Sequence, residues 1–313
     1  MCPPPNTPRI GANDDAGAGA PLQLDPRLHV YRDDLAAAEL KGRVRSQRFV
    51  VGEARQVVQS ALPLRGIPDS KASYATELIF GERVMVYETR EGWAWVQSQR
   101  DRYVGYVPTA ALSRTVVAPT HKVRALGTFL YPAPDIKTAP LMHLSIGSEL
   151  AMAETGESFS RLIKGGYVVN RHIVEIDRHH RDYVEIAERF IGTPYLWGGR
   201  TRLGIDCSGL VQVSLEAAGF AAPRDSDMQQ SALGDPIAVP SDLEGLRRGD
   251  LVFWKGHVGL MVDGLMLVHA NAHHMAVAVE TLPEAVGRIA RSGSSIVTIR
   301  RMPALAAPMP PTV

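Results

Sequence analysis

Cys207 stands where a helix is predicted to begin, a position that favours nucleophilic chemistry. Turn-prone residues precede it, and the following apolar residues recur at the spacing of a helix face that Gly219 ends. Unpaired N–H groups and the positive end of the helix dipole lower the pKa of a thiol there and favour the thiolate, which attacks carbonyl carbon. The alternative is that Cys207 is a small buried side chain without reactivity.

Two histidines follow on strands that are predicted to be neighbours. Gly249 and Asp250 begin one strand, His257 begins the next, and a third strand carries His269. On adjacent antiparallel strands, two residues facing the same side have Cβ atoms ~5 Å apart. One imidazole could then act as a base while the other orients it, as a thiol nucleophile requires. A histidine alone in a strand is more often structural, but the cysteine at a helix start favours catalysis.

A zinc site is the alternative use of these histidines. His269 and His273 have the i, i+4 spacing that would bind zinc on a helix, and His274 is adjacent. The surrounding LMLVHANAHHMAVAVE is instead typical of strand, loop and strand, and it lacks a nearby glutamate of the zincin type. We therefore expect no metal and no other cofactor.

Composition indicates a soluble globular protein with room for two or three domains in 313 residues. The 34 basic and 33 acidic residues leave a charge of +1, which argues against nucleic acid or a membrane surface as a partner. A disulfide between Cys2 and Cys207 is not expected, and no apolar run reaches the ~18 residues of a membrane span. Residues 1–22 lack a secretory signal, so we expect a cytoplasmic protein unless a signal has been removed.

The middle of the chain contains an internal duplication. Residues 78–89 (LIFGERVMVYET) align with residues 144–155 (LSIGSELAMAET) at an offset of 66. Further on, residues 105–107 (GYV) align with residues 166–168 (GYV) at an offset of 61. Alternating apolar residues with glycines at turns predict a tandem pair of small β-barrels.

The helical and disordered segments complete the predicted organisation. Asp33 is a plausible N-cap for an Ala-rich helical turn, and RDYVEIAERFIG predicts a helix that Gly192 ends. The predicted boundaries are a disordered N-terminus (1–22), a partly helical segment (23–55), a first barrel (56–116), a second barrel (117–176), an α+β catalytic domain (177–302) and a disordered tail (303–313).

Four stretches of the C-terminal part resemble the NlpC/P60 family of papain-like cell-wall peptidases: TPYLWGGRTRLGIDCSGLV, PRDSDMQ, RRGDLVFWKGHVGLMV and LMLVHANA. The resemblance covers roughly residues 187–301 and implies a papain-like α+β fold. It implies that Cys207 is the nucleophile, His257 the base and His269 the polar residue that fixes the tautomer of the base. It also places Tyr195 near the oxyanion, beside the backbone N–H of Cys207; the alternative for Tyr195 is packing in the cleft wall.

The upstream half resembles, more diffusely, the bacterial SH3-like domains of the dipeptidyl-peptidase branch of this family, through strings such as GERV and YVGYVP. That branch cleaves the γ-D-glutamyl–diamino acid bond of peptidoglycan peptides whose N-terminal L-alanine is free. The resemblance implies that the substrate ammonium is held by Glu82, Tyr103, Asp206, Ser208 and Asp225. The alternatives are that Glu82 is a solvated turn residue and that Asp206 caps the Cys207 helix.

Together these resemblances imply two SH3-like barrels followed by a papain-like cysteine peptidase that acts on peptidoglycan-derived peptides, with murein recycling as the expected use. One alternative is an exported endopeptidase or amidase that acts on intact wall. Another is a non-catalytic module that binds wall fragments, although a module of that kind would usually have lost Cys207 or His257. The sequence predicts neither the oligomeric state nor the preferred diamino acid.

Overall fold

The structure, a computed structural model, describes residues 24–240 and 242–303. Short strands dominate this part of the chain and helices are few. The predictions made for residues 1–22 and for residues 304–313 of the tail lie outside the described residues. None of the helices in the described ranges is long and apolar enough to span a membrane.

The N-terminal segment contains two short parallel strands, β1 (Ala36–Ala37) and β2 (Phe49–Val50), and the 3-10 helix Ala38–Leu40. The helical turn predicted in the Ala-rich stretch is present as this 3-10 helix, but the N-cap predicted at Asp33 is wrong. The residue before the 3-10 helix is Ala37, which is extended and forms no side-chain cap.

Burial explains why this segment is not an α-helix. Its apolar side chains form one buried cluster with residues of the following β-sheet, and this packing outweighs the helix propensity of alanine. The buried members are Leu24, Val30, Leu35, Ala37, Leu40, Trp95 and Val104.

A first β unit follows as a seven-stranded antiparallel sheet in the order β5-β4-β8-β7-β6-β3-β9. The 3-10 helix Thr109–Ala111 connects its last two strands. The strands are β3 (Glu53–Val57), β4 (Ala61–Arg65), β5 (Tyr74–Ile79), β6 (Arg83–Arg90), β7 (Trp93–Ser98), β8 (Val104–Pro108) and β9 (Leu112–Ser113).

A second β unit is divided among three small sheets, in the orders β13-β10-β17, β11-β12 and β14-β15-β16. It has its own buried core, to which Val123, Leu144 and Leu162 belong. The strands are β10 (His121–Val123), β11 (Gly127–Leu130), β12 (Met142–Ser145), β13 (Glu149–Leu150), β14 (Met152–Thr155), β15 (Phe159–Leu162), β16 (Tyr167–Val169) and β17 (Ile173–Glu175).

The duplication seen in the sequence has a structural counterpart in the two units. Gly81 and Gly147 both have positive φ, at +88° and +82°. The backbone N–H of Gly81 donates to Val57 O, and that of Gly147 donates to Val123 O. The 3-10 helix at residues 170–172 stands 61 positions after the one at 109–111, which is the offset of the aligned GYV strings.

The C-terminal domain is built on a six-stranded antiparallel sheet in the order β20-β25-β21-β22-β23-β24. Helices α1 and α2 pack against β22 and β23, and a second cluster joins the sheet to α4. The elements are α1 (Tyr183–Arg189), β18 (Arg200–Thr201), β19 (Gly204–Ile205), α2 (Cys207–Ala217), α3 (Ser226–Ala232), β20 (Asp235–Ile237), β21 (Leu251–Trp254), β22 (His257–Met261), β23 (Met266–Asn271), β24 (Ala276–Thr281), α4 (Leu282–Ala290) and β25 (Ile296–Arg301).

Both helices expected near the start of this domain are confirmed. Asp182 caps α1 by accepting hydrogen bonds from two backbone N–H groups, and α1 ends before Gly192, whose φ is +84°. The second helix begins at Cys207, as its apolar spacing predicts, and ends before Gly219, whose φ is +90°. The strands expected to begin near Asp250, at His257 and near Leu265 are likewise present.

We expect Gly81→Ala to lower the free energy of unfolding by about 1–3 kcal/mol more than Gly92→Ala. Both glycines have left-handed backbone, so both substitutions carry a strain of about 1 kcal/mol. A Cβ at Gly81 would also lie 2.0 Å from the carbonyl oxygen of Glu149 in the second β unit, whereas nothing lies within 4 Å at Gly92. Urea denaturation measures both variants, and equal losses would contradict the close contact between the units.

Candidate active site

Cys207 is the first residue of α2, and Asp206 caps that helix. One carboxylate oxygen of Asp206 accepts the backbone N–H of Gly209 at 2.7 Å, and the other accepts that of Gly198 at 2.8 Å. Cys207 is 6% exposed, and it belongs to the same buried cluster as Val258 and Ala270. These two residues directly follow His257 and His269 in the chain, so the cluster ties the start of α2 to the strands that carry both histidines.

The structure brings the two predicted histidines together. His257 is the first residue of β22, and His269 lies within β23. Since Met261 pairs with Leu267 in the antiparallel register, alternation places both histidines on one face of the sheet. The Nε2 atom of His257 lies 2.9 Å from Nδ1 of His269, and the ring of Trp254 lies 5.7 Å from that of His257, measured between centroids.

The polar chain continues beyond His269 to an acid that sequence reasoning missed. Oε1 of Glu280, on β24, lies 2.8 Å from Nε2 of His269. Arg288, on α4, contacts the same carboxylate oxygen. Burial opposes ionisation of Glu280, but the hydrogen bond with His269 and the charge of Arg288 outweigh it and lower the pKa of Glu280 to about 2.

The ionised carboxylate determines where each imidazole proton lies. Glu280 can only accept, so His269 donates from Nε2 and its Nδ1 is left as an acceptor. His257 must then donate from Nε2 to that acceptor. The lone pair of His257 is consequently on Nδ1, where it can accept a proton from a nucleophile.

Both histidines are neutral near pH 7. Burial lowers the pKa of His257 well below its ordinary value, and His269 and Arg288 act in the same direction. Burial also lowers the pKa of His269, although Glu280 opposes it. A neutral imidazole is the form that a general base requires.

A buried ion pair holds the loop before Cys207. Arg224 donates to Asp206 from Nη1 at 3.0 Å and from Nη2 at 2.7 Å, and it also donates to Oγ of Ser208 at 2.9 Å. Its Nε donates to Oγ1 of Thr76, in the first β unit, at 2.8 Å. Both oxygens of Asp206 are thus taken by donors of the protein itself, which is the capping role that its sequence position also allows.

Tyr103 and Asp225, both predicted to bind substrate, contact each other across the boundary between the first β unit and the C-terminal domain. The phenol of Tyr103 donates to Oδ2 of Asp225 at 2.9 Å. Burial, followed by the charge of Asp225, raises the pKa of Tyr103 well above its ordinary value. Arg27 also reaches Asp225, at 2.8 Å, and it bridges to Asp25 and Asp227.

Glu82 does not join this group. Its side chain is 1% exposed and pairs with Nε of Arg100 at 2.7 Å and Nη1 of Arg200 at 3.2 Å. The reading of Glu82 as a solvated turn residue is therefore wrong. Its contacts with two protein cations give it a structural role and do not favour the substrate contact predicted for it.

Tyr195 lies close to the start of α2 through its backbone. It forms a parallel bridge with Ile205, and its N–H donates to the carbonyl of Met275 at 2.9 Å. Its half-buried side chain packs against the cluster that contains Cys207. The position is compatible with both of its expected roles, at the oxyanion and in the cleft wall.

The residues that could hold a metal in the structure differ from those that the sequence suggested. Within the described ranges, ligand atoms of His269, His274 and Glu280 lie within 4.8 Å of one another. Glu280 already pairs with Arg288, and His269 already contacts both Glu280 and His257. A cation here would have to displace the guanidinium and break the polar chain, so these residues fit the histidine relay better than a metal.

Sequence signals for the missed residues were weak. Glu280 is the one charged residue in the string AVAVE, where it follows four apolar residues. A single acid at the end of an apolar strand is the signal that could have identified it. Arg224 stands within PRDSDMQ, but nothing in its spacing identifies Asp206 as its partner. Arg27 and Arg288 carry no pattern that distinguishes them from solvated cations.

Two family models match the chain. Residues 192–287 match the NlpC/P60 family, and residues 64–112 match the bacterial dipeptidyl-peptidase Sh3 domain. The first range contains Cys207 and both relay histidines, and the second contains Tyr103.

Two similar proteins cover most of the chain. The gamma-D-glutamyl-L-lysine dipeptidyl-peptidase of Bacillus subtilis (strain 168) is 28% identical over 235 residues, which are 67% of this chain and 77% of that protein. Dipeptidyl-peptidase 6 of Lysinibacillus sphaericus is 27% identical over 241 residues, which are 69% of this chain and 87% of that protein.

A solved structure shares the fold. The crystal structure of an NlpC/P60 family protein from Bacillus cereus ATCC 10987 superposes with a TM-score of 0.67 at 20% identity, over 81% of this chain and 100% of that one. The resemblance recognised from the sequence is confirmed by the two family models, which match residues 192–287 to the NlpC/P60 family and residues 64–112 to the bacterial dipeptidyl-peptidase Sh3 domain.

Proposed function

We propose that this protein is a cysteine peptidase that hydrolyses the γ-D-glutamyl–diamino acid bond of peptidoglycan-derived peptides with a free N-terminal L-alanine. The observation that carries the proposal is the polar chain from His257 through His269 to ionised Glu280, in a domain whose α2 begins at Cys207. The names of the two dipeptidyl-peptidase relatives support the bond and the substrate class. Use of such peptides in murein recycling stays a prediction.

The proposed reaction begins with attack of Cys207 Sγ on the carbonyl carbon of the γ-glutamyl amide. His257 Nδ1 takes the thiol proton and then gives it to the departing amine of the diamino acid, as the C–N bond breaks. Water attacks the resulting thioester, and the thiolate leaves with the proton returned through His257. The backbone N–H of Cys207 and the phenol of Tyr195 stabilise the oxyanion in this scheme.

The contact between the first β unit and the C-terminal domain supports a cleft that is closed at one end. Tyr103 from that unit donates to Asp225, and Thr76 accepts from Arg224, which contacts Asp206 and Ser208 at the helix start. A substrate with a free amine ends at this wall, where its ammonium pairs with Asp225.

Charge near Asp225 favours an ammonium group. Three carboxylates, those of Asp25, Asp225 and Asp227, share the guanidinium of Arg27, and the other nearby cation, Arg224, is paired with Asp206. An acetylated amine would bring no charge and would forgo the charge-assisted hydrogen bond that an ammonium forms with a carboxylate. We assign the ammonium to Asp225, with Tyr103 holding that carboxylate in place and Ser208 lining the same region.

We also propose that the second β unit is an SH3-like barrel, which gives the full order of two barrels and a papain-like domain. The equivalent turns at Gly81 and Gly147 and the equivalent 3-10 helices support this. The proposed boundaries remain 56–116, 117–176 and 177–302.

Cys207→Ala should abolish hydrolysis of L-Ala-γ-D-Glu-diamino acid peptides while the far-UV circular dichroism stays that of the wild type. His257→Ala should lower kcat by roughly 10²–10⁴, the usual contribution of a general base. Mass spectrometry of the products identifies the bond that is cut. Full activity of Cys207→Ala would contradict the nucleophile, and a product other than L-Ala-D-Glu would contradict the proposed bond.

Asp225→Asn should reduce the preference for a free N-terminal amine by at least about tenfold, because the amide lacks the charge that pairs with an ammonium. The measurement is kcat/KM for L-Ala-γ-D-Glu-diamino acid and for its N-acetylated form. Asp227→Asn is the matched control, since Asp227 is 63% exposed and contacts Arg27 without contacting Tyr103. Equal rates for both peptides in the wild type would reject the closed end and leave a general endopeptidase.

A further inference from the structure

A cavity of about 470 Å³ lies where the two β units meet the C-terminal domain. Ile79 and Arg100 come from the first unit, and Val123 and Ile146 from the second. Helix α2 contributes residues of its C-terminal half, among them Ala217. We call this space the junction cavity.

The junction cavity is separate from the candidate active site. None of Cys207, His257, His269 and Glu280 is among its described lining residues. Ala217 stands ten residues after Cys207 on the same helix, which corresponds to about 15 Å along the helix axis. The candidate active site and the junction cavity thus lie at different ends of α2.

The walls of the cavity are mainly aliphatic. Six branched aliphatic side chains line it and provide a surface that water hydrates poorly. An apolar group of matching size would regain the dispersion contacts that such walls otherwise lack. These residues are Ile79, Val123, Ile146, Val174, Ile176 and Val213.

The rim of the cavity carries an excess of positive charge. Its cations are Lys122, Arg124 and Arg178, and His179 and His180 also line the cavity. Arg178 pairs with Glu175, but among the described residues neither Lys122 nor Arg124 forms an ion pair.

Lys122 Nζ donates to Nδ1 of His179 at 3.2 Å, so this histidine is a neutral acceptor at the rim. Burial lowers the pKa of Lys122, and nearby Arg100 lowers it further, although Asp177, Glu149 and Glu216 act in the opposite direction. Burial and then Lys122 lower the pKa of His179, and the pKa of His180 is lowered by burial and by neighbouring arginines. An anion at the rim would favour the charged form of Lys122.

The inner end of the cavity has the opposite character. Arg100 and Arg200 are already paired there with Glu82, Glu149 and Glu216. These two cations and three carboxylates have a net negative charge, so they do not attract a further anion. A negatively charged group is therefore directed to the rim, and an apolar body to the aliphatic walls.

We propose that the junction cavity binds a small organic anion with an aliphatic body, of the medium-chain carboxylate class, with its carboxylate beside Lys122 and Arg124. Because the walls come from both β units and from α2, the bound molecule would hold the three parts together. This function is independent of peptide hydrolysis.

The test is isothermal titration calorimetry of the full chain with octanoate, below its micelle concentration, and with n-octylamine. Octanoate should bind saturably at one site, and the amine, which has the same body and the opposite charge, at least about tenfold more weakly. Lys122→Glu/Arg124→Glu should weaken octanoate binding at least about tenfold. Ala217→Phe, which fills the cavity from α2, should abolish it.

Matched variants control for charge and for bulk. Arg114→Glu/Lys137→Glu reverses two exposed charges outside the cavity, and Ala290→Phe adds the same ring to an exposed position of α4. Both should bind octanoate as the wild type does. Val174→Phe fills the cavity from the opposite wall and replaces Ala217→Phe if that variant does not fold.

Three results would overturn the proposal. The first is the absence of saturable octanoate binding to the wild type. The second is wild-type affinity in both filling variants, which would place the ligand elsewhere. The third is an unchanged affinity in the charge-reversed variant, which would exclude an anion site. Peptidase activity enters none of these readouts, so the proposed function stands or fails separately.

Discussion

The hydrogen bond between His269 and the ionised carboxylate of Glu280 is the interaction on which the candidate catalytic site depends. A carboxylate can only accept, and this one is kept ionised by His269 and Arg288 despite its burial. It sets the tautomer of His269, which in turn sets that of His257. Without this anchor, two neutral imidazoles in contact could share their proton in either direction, and the lone pair of His257 would have no fixed position.

A second constraint acts on Cys207, the proposed nucleophile. Asp206 holds the start of α2 by capping it, and Arg224 neutralises Asp206 in a setting where both are buried. Loss of either partner would leave a buried charge uncompensated, which is far more costly than loss of an exposed ion pair. Because Arg224 also binds Thr76, the geometry around Cys207 is tied to the docking of the first β unit. The SH3 domain is therefore part of the site as well as a neighbour of it.

The sequence could predict those elements whose bounds depend on the local pattern of apolar residues and glycines. The start of α2 at Cys207, its end before Gly219 and the strands that carry His257 and His269 follow from apolar spacing and glycine positions. The N-cap expected at Asp33 was wrong because Leu35 and Ala37 belong to a buried cluster with Trp95, and local propensity does not encode such tertiary packing. The contacts of Glu82 with Arg100 and Arg200 and of Asp206 with Arg224 depend on which side chains meet when separate units dock. Glu280 depends on the register of β23 against β24, which the sequence does not show.

The most direct test of the central claim is nitrogen-15 NMR of the histidine side chains in wild type and in Glu280→Gln, with Cys207→Ala and His257→Gln used to assign the signals. The account predicts that wild-type His257 and His269 are both neutral at pH 7 and protonated at Nε2, with Nδ1 of His257 unprotonated. In Glu280→Gln the fixed order should be lost, since a glutamine amide can donate as well as accept. A wild-type His257 protonated at Nδ1, or an unchanged pattern in Glu280→Gln, would contradict the account.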